Sequence, residues 1–190
     1  MRLIVAMTGA TGAPLAVKLL EALSQCPDVE THLILSKWAK VTLELETSYK
    51  AGDLRELADV VYRPDDQAAA ISSGSFITDG MIIIPCSMKT LAGIRLGYAE
   101  GLIGRAADVI LKEQRKLVLV PRETPLSSIH LDNMLALSKM GAAIVPPMPA
   151  YYNHPQHIDD VTTHVVARVL DQFHIALPDA KRWQGLPERH

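Results

Sequence analysis

The sequence lacks most of what would mark a secreted, membrane-spanning or nucleic-acid-binding protein. It has two cysteines, Cys26 and Cys86, which supply neither a disulfide framework nor a zinc spacing, so a reducing cytoplasm is the expected home. No stretch approaches the roughly 18 uncharged apolar residues of a membrane helix, and the longest dense run, Met81 to Cys86, is strand-sized. The apolar start, Leu3 to Met7, is too short for a signal-peptide core and reads as a first strand. Excess positive charge is missing too. Lys and Arg number 19 against 21 Asp and Glu, a formal net charge of -2 that argues against a nucleic-acid partner. No repeat, low-complexity tract or linker interrupts the chain, and its 190 residues, 48% hydrophobic, suit one domain over 1–190 with a full core.

What is present is a rhythm of short β-rich runs and longer helical patterns. The chain opens with a strand at Leu3–Met7, a Pro-initiated helix from Pro14 to about Ser24, a strand at Thr31–Leu35 and a helix from Lys37 to about Tyr49. Further strands are predicted at Val60–Tyr62, Gly80–Pro85, Lys116–Val120 and Ala142–Val145, the last three apolar on both faces. Helices are predicted at about Ser87–Gly97, Gly101–Glu113, Ser127–Met140 and Ile158–Phe173. Strands without polar alternation imply a parallel sheet covered on both sides, a three-layer doubly wound α/β domain. Two segments break the rhythm and read as ordered surface loops: Ala70–Gly80, with its Ser72-Ser73-Gly74-Ser75 cluster, and Pro146–Pro155, which carries Tyr151 and Tyr152. An aromatic pair in a Pro-rich loop suits a neighbouring subunit or a ligand.

Three strand ends carry candidate chemistry. The first strand runs into Thr8-Gly9-Ala10-Thr11-Gly12-Ala13-Pro14, a small-residue turn that aims backbone N–H groups and a helix N-terminus at one spot, as a phosphate requires. The spacing is G-x-x-G and not the dinucleotide fingerprint, and the second strand ends in Ser36-Lys37 where a nicotinamide site places an acid. A mononucleotide fits better than NAD, and a tight turn with no ligand is the bland alternative. The second candidate is Pro85-Cys86-Ser87-Met88-Lys89-Thr90, with Ser87 as N-cap and Lys89 and Thr90 in the first turn; an ordinary capped helix is the alternative there. The third is Pro121-Arg122-Glu123-Thr124-Pro125, which brings a guanidinium and a carboxylate to the same end of the sheet. On the preceding helix, Asp108 and Lys112 stand four apart, the spacing of a surface ion pair. His154 and His157 beside Asp159 and Asp160 lack a third ligand at a recognisable spacing, so no metal is expected. Neither a G-x-S-x-G elbow nor a P-loop lysine motif is present.

Together these stretches resemble the flavin prenyltransferases, the UbiX/Pad1 group formerly called aromatic acid decarboxylases, over nearly the whole chain. The resemblance also rests on His32–Lys37, Leu45-Glu46-Thr47, Arg105–Val109, Leu111–Glu113, Pro149–Tyr152 and Arg168–Asp171. It implies a flavodoxin-like or Rossmann-like single domain that assembles as a homododecamer of trimers, with the substrate site at a subunit junction. The C-terminal tail, about 176–190, would pack on a neighbouring subunit, with Trp183 covering the prenyl tail. FMN would be held by Gly9, Ala10, Thr11, Ser36, Ser87, Met88, Lys89, Thr90 and Arg122. Lys112, Arg122, Glu123, Tyr152 and Arg168 would hold the allylic phosphate. Thr11 keeps the hydroxyl of the family's Ser and, with Glu46, Lys112 and Glu123, makes the catalytic set, Glu46 near the reacting carbons and Glu123 moving protons with the leaving group.

The implied reaction joins a dimethylallyl group from dimethylallyl phosphate to N5 and then C6 of reduced FMN, without a metal. The product, prenylated FMN, would pass to a UbiD-like decarboxylase. Two alternatives remain open: direct decarboxylation of a phenolic or aromatic acid, and a non-catalytic FMN carrier. The related flavin-dependent cysteine decarboxylases carry a Pro-x-Met-Asn motif, and Pro146-Pro147-Met148-Pro149 here lacks its Asn.

Overall fold

The computed structural model describes residues 1–178 and 180–186. Its centre is strand β1 (Arg2–Met7), which pairs in parallel with β2 (Glu30–Leu35) on one side and β4 (Gly80–Cys86) on the other. Side chains alternate across a strand, so Leu3, Val5 and Met7 enter one core while Ile4 and Ala6 enter another. The remaining strands, β3 (Val60–Tyr62), β5 (Lys116–Pro121) and β6 (Ala143–Ile144), complete an all-parallel sheet of order β3-β2-β1-β4-β5-β6, the Rossmann order. The first core is closed mainly by α1 (Ala13–Ser24) and α7 (Ile158–Leu170). The second lies under α4 (Met88–Arg95) and α5 (Gly101–Lys112), with Leu137 of α6 (Ser128–Lys139). The expected three-layer α/β domain is thus present.

Most predicted elements lie within two residues of the observed ones, and the exceptions have local causes. The helix expected from Lys37 to Tyr49 divides into α2 (Lys37–Glu46) and α3 (Ala51–Glu56). Thr47 leaves the helical region at φ -141 and ψ 170. Its hydroxyl donates to the Leu43 carbonyl at 2.8 Å and accepts from the Tyr49 N–H at 3.1 Å, a local competition with the helix. A capping interaction then restarts the chain, with Asp53 Oδ2 accepting from Lys50 N at 2.7 Å. The last predicted helix ends at Leu170 and tightens into a 3-10 turn, Asp171–Phe173. Strand β6 is a two-residue edge strand and only half-buried, whereas the sequence led us to expect both faces covered.

Candidate active site

In a doubly wound sheet the chain leaves β1 and β4 in opposite directions, which opens a crevice at their carboxyl ends. Thr8 ties the two ends together. Its buried hydroxyl donates to the Pro85 carbonyl at 2.8 Å and accepts from Ser87 N–H at 2.8 Å, so the β1 and β4 turns are fixed relative to each other. Ser36 and Ser87 cap α2 and α4, accepting from Ala39 N at 3.0 Å and Thr90 N at 3.3 Å. The Ser87 and Thr90 hydroxyls also lie 3.0 Å apart. Thr8, Gly9, Ser36, Ser87, Lys89 and Thr90 line one cavity of about 330 Å³, whose outer rim is Trp38, Tyr98 and the start of α5. Gly9 is dictated by packing, because a Cβ there would collide with the Cβ of Trp38.

The turn after β1 differs from the sequence reading in one respect. The N–H groups of Gly12 and Ala13, which open α1, both donate to Glu46 Oε2, each at 2.8 Å. The anion at this helix N-terminus is the chain's own carboxylate. The N–H groups of Gly9, Ala10 and Thr11 have no acceptor among the described residues and remain for a ligand. Glu46 is therefore beside the turn, with one carboxylate oxygen committed to the helix.

Arg122 follows β5 and is anchored by its N–H to the Cys86 carbonyl at 3.4 Å. With Glu123, Met88 and the Pro146–Met148 segment it lines a second cavity of about 290 Å³, so the Ser87–Thr90 turn stands between the two. A third cavity, about 330 Å³, shares Pro146 and Met148 with the second and is lined by Arg168 and His164. Asp171 holds Arg168 at 2.5 Å and Arg182 at 2.6 and 2.8 Å. The Arg182 hydrogen bonds, with the field of both guanidiniums, keep the Asp171 carboxyl below its ordinary range despite partial burial. Tyr152 packs edge-on against His164 and Trp183, with ring centroids 5.8 and 5.6 Å away. The described part of the C-terminal tail thus turns back on its own chain, through Trp183 and Arg182; residues 179 and 187–190 of the expected tail lie outside the described residues.

Lys112 is not brought to Arg122 within one chain. It ends α5 at the amino end of the sheet, against Glu113 and close to Gly74. The six residues of β5 separate it from Arg122, a span of about 20 Å at the rise of a strand. Asp108 pairs with Arg105 at 2.7 Å and not with Lys112, so the expected i,i+4 pair is replaced by an i,i+3 pair.

Several polar residues have structural employment. Asp160 Oδ2 accepts from the N–H groups of Gln156 and His157 at 2.7 and 2.9 Å, and Asp159 pairs with Lys18 at 2.9 Å. Burial pushes the Cys86 thiol up to about 12, which leaves it inert as a nucleophile. The residue that sequence reasoning missed is Thr8, since its partners lie in the other half of the sheet.

A Rossmann-ordered sheet whose crevice gathers unpartnered N–H groups, hydroxyls and a lysine, next to an arginine-lined pocket, defines a mononucleotide-binding α/β protein. Comparison with known proteins narrows the class. The Flavoprotein family matches residues 1–170. An Escherichia coli protein named "Probable UbiX-like flavin prenyltransferase" is 72% identical over 99% of this chain and 95% of its own length. The dodecameric FMN-dependent UbiX-like decarboxylase of Escherichia coli O157:H7 superposes with a TM-score of 0.97 at 72% identity, covering 97% of this chain and all of its own, 100%. AnUbiX (PadA1), solved in complex with FMN and dimethylallyl pyrophosphate, gives a TM-score of 0.95 at 54% identity over 98% of both chains. The chain belongs to the Flavoprotein family and, within it, to the UbiX-like flavin prenyltransferases.

Proposed function

We infer that the protein transfers a dimethylallyl group from dimethylallyl phosphate to reduced FMN, forming bonds at N5 and then C6 and releasing phosphate. The observation that carries this reading is the pair of adjoining cavities at the carboxyl ends of β1, β4 and β5, set against a relative that holds FMN together with dimethylallyl pyrophosphate. The groups present suit both ligands. Open N–H donors at Gly9–Thr11, the Ser36 and Thr90 hydroxyls and the Lys89 ammonium fit a mononucleotide in the first cavity, with Met88 and Arg122 at its partition. Arg122, Glu123 and Arg168 border the space for the donor phosphate, with Tyr152 beyond.

Reduced FMN supplies the nucleophilic atoms. The protein's task is to stabilise the departing phosphate, which cations do best where water is excluded. Arg122 and Arg168 serve it from one chain, and Asp171 orients the second. Lys112, at the far end of the sheet, reaches such a site only from another copy, as in an assembly like that of the dodecameric relative. Glu123 exchanges protons with the leaving group, and the uncommitted oxygen of Glu46 serves near Thr11. The product leaves for a separate UbiD-like decarboxylase, all in the cytoplasm.

Anaerobic incubation with reduced FMN and dimethylallyl phosphate, followed by mass spectrometry, should yield a flavin heavier by one dimethylallyl unit. Unmodified flavin despite tight FMN binding, with the diphosphate donor as well, would sink the reading. The name of the O157:H7 relative favours testing direct decarboxylation alongside, as CO₂ release from a phenolic acid without an allylic donor. Arg168→Ala should retain FMN binding and lose phosphate release by 10²-fold or more, roughly what removing one charge-stabilising donor costs. A carrier would be indifferent to that change.

A further inference from the structure

The segment after α7 returns to the donor side of the molecule through a series of local contacts. His174 takes the left-handed conformation at φ +58, and the Ile175 N–H donates to the Leu170 carbonyl at 3.2 Å, so the helix end closes and the chain reverses. Ile175 and Leu177 pack against the first core and hold the returning segment in place. Two consecutive residues then meet two groups at the edge of the proposed donor space. Trp183 stands edge-on to Tyr152, and Arg182 grips Asp171, the partner of Arg168, with Nη1 2.8 Å from Oδ2 and Nη2 2.6 Å from Oδ1. Asp171 is thus divided unequally between two guanidiniums. Arg182 takes both carboxylate oxygens in a fork, the arrangement in which guanidinium and carboxylate fit best. Arg168 makes a single contact, Nη1 to Oδ2 at 2.5 Å, and among the described residues its side chain has no other hydrogen bond, although a guanidinium carries five N–H groups. One carboxylate against two cations leaves a positive charge over. The geometry leaves it on Arg168, whose side chain is 54% exposed and lines the third cavity.

We propose that Arg182 is a positioning residue for the transfer: by occupying both oxygens of Asp171 it keeps that carboxylate from forking onto Arg168, which retains its charge and its remaining N–H groups for the donor phosphate. The proposal rests on the reading that the phosphate lies beside Arg168. Without Arg182, Asp171 pairs with Arg168 in the fork it now gives to Arg182, and an incoming anion has to displace it. Ion pairs this exposed contribute little to stability. The role of Arg182 is to decide which arginine stays free, and it acts through Asp171 without touching the donor.

The test is calorimetric titration of dimethylallyl phosphate into the full-length protein loaded with oxidised FMN, a flavin that is not nucleophilic, so that binding is read without turnover. Arg182→Ala should weaken the donor about tenfold, the scale of one charge-assisted hydrogen bond. Arg182→Lys, which restores the charge but not the fork, should recover only part of the loss. The deciding measurement repeats Arg182→Ala in an Asp171→Asn background. With the carboxylate gone nothing competes for Arg168, so the double variant should bind the donor within about twofold of Asp171→Asn alone. If Arg182 only pinned the segment after α7 to the protein, its removal would cost the same in both backgrounds. That equality, or unchanged affinity in Arg182→Ala, would overturn the proposal. So would weakened binding accompanied by a smaller assembly in size-exclusion chromatography, which would assign Arg182 to a subunit contact. If the unaltered protein and Arg168→Ala bound the donor equally, the placement of the phosphate beside Arg168 would fail and the proposal with it, a result distinct from a site that needs Arg168 and is indifferent to Arg182.

Discussion

His32 shows at the scale of one residue how burial and partners compete. It is 1% exposed on β2, between Glu30 and Tyr62, with Nε2 3.0 Å from Glu30 Oε1 and Nδ1 2.9 Å from the Tyr62 hydroxyl. A carboxylate can only accept, so Nε2 carries the proton and Nδ1 accepts from Tyr62. Tyr62 stacks on the ring at 5.7 Å and Phe76 meets its edge at 5.5 Å. Burial, opposed by Glu30, leaves the His32 pKa below its ordinary 6.5. The folded protein therefore binds fewer protons at His32 than the unfolded chain does. The stabilising contribution is complete above pH 6.5 and declines as pH falls through and below that value. Denaturant melts at pH 7.5 and 5.5 should show a stability loss on acidification that is smaller in His32→Asn. An equal loss in both proteins would remove His32 from the account. The sequence placed His32 in a strand but could not show this cluster, whose members come from two strands and the loop before β4.

At the scale of elements, the strand–helix alternation was legible because apolar runs and small-residue turns are local signals. What local signals could not reveal are contacts between elements. The turn at Gly9–Ala13 reads as a phosphate site; that Glu46 at the end of α2 places its own carboxylate on part of it depends on how α1 and α2 pack. Thr8 is similarly opaque, since its partners Pro85 and Ser87 belong to another strand's end. The break at Thr47 went unseen because the apolar periodicity continues past it. The helix-capping duty of Glu46 and its proposed catalytic one are separable. A carboxylate on the first N–H groups of a helix stabilises it by about 1 kcal/mol. Glu46→Ala should lower both stability by that order and turnover, whereas Glu46→Gln, which keeps an acceptor, should hold most of the stability and still lose turnover. Equal turnover in Glu46→Gln and the unaltered protein would leave Glu46 as a helix cap alone.

At the scale of the whole molecule, the chain presents more apolar surface than a lone domain needs. Helix α6 buries Leu137 but exposes Ile129, Leu131 and Leu135, and Met148, Tyr151 and Ile158 are exposed as well. Such a surface suits association, and a solved relative at 72% identity is dodecameric. Lys112 and Arg122 stand at opposite ends of β5, so the proposed sharing of one phosphate between them requires a subunit boundary. This has a consequence that single variants cannot show. Lys112→Ala and Arg122→Ala should each lose phosphate release when assembled alone. In oligomers reassembled from an equal mixture, a site that takes its lysine from one chain and its arginine from another is intact whenever both donors are unaltered, in about a quarter of cases for random mixing. Recovered turnover near that fraction would establish the shared site. No recovery, with mixed assembly verified by mass spectrometry, would mean that each chain supplies both groups to its own site, whereas full turnover in Lys112→Ala alone would remove Lys112 from the phosphate site.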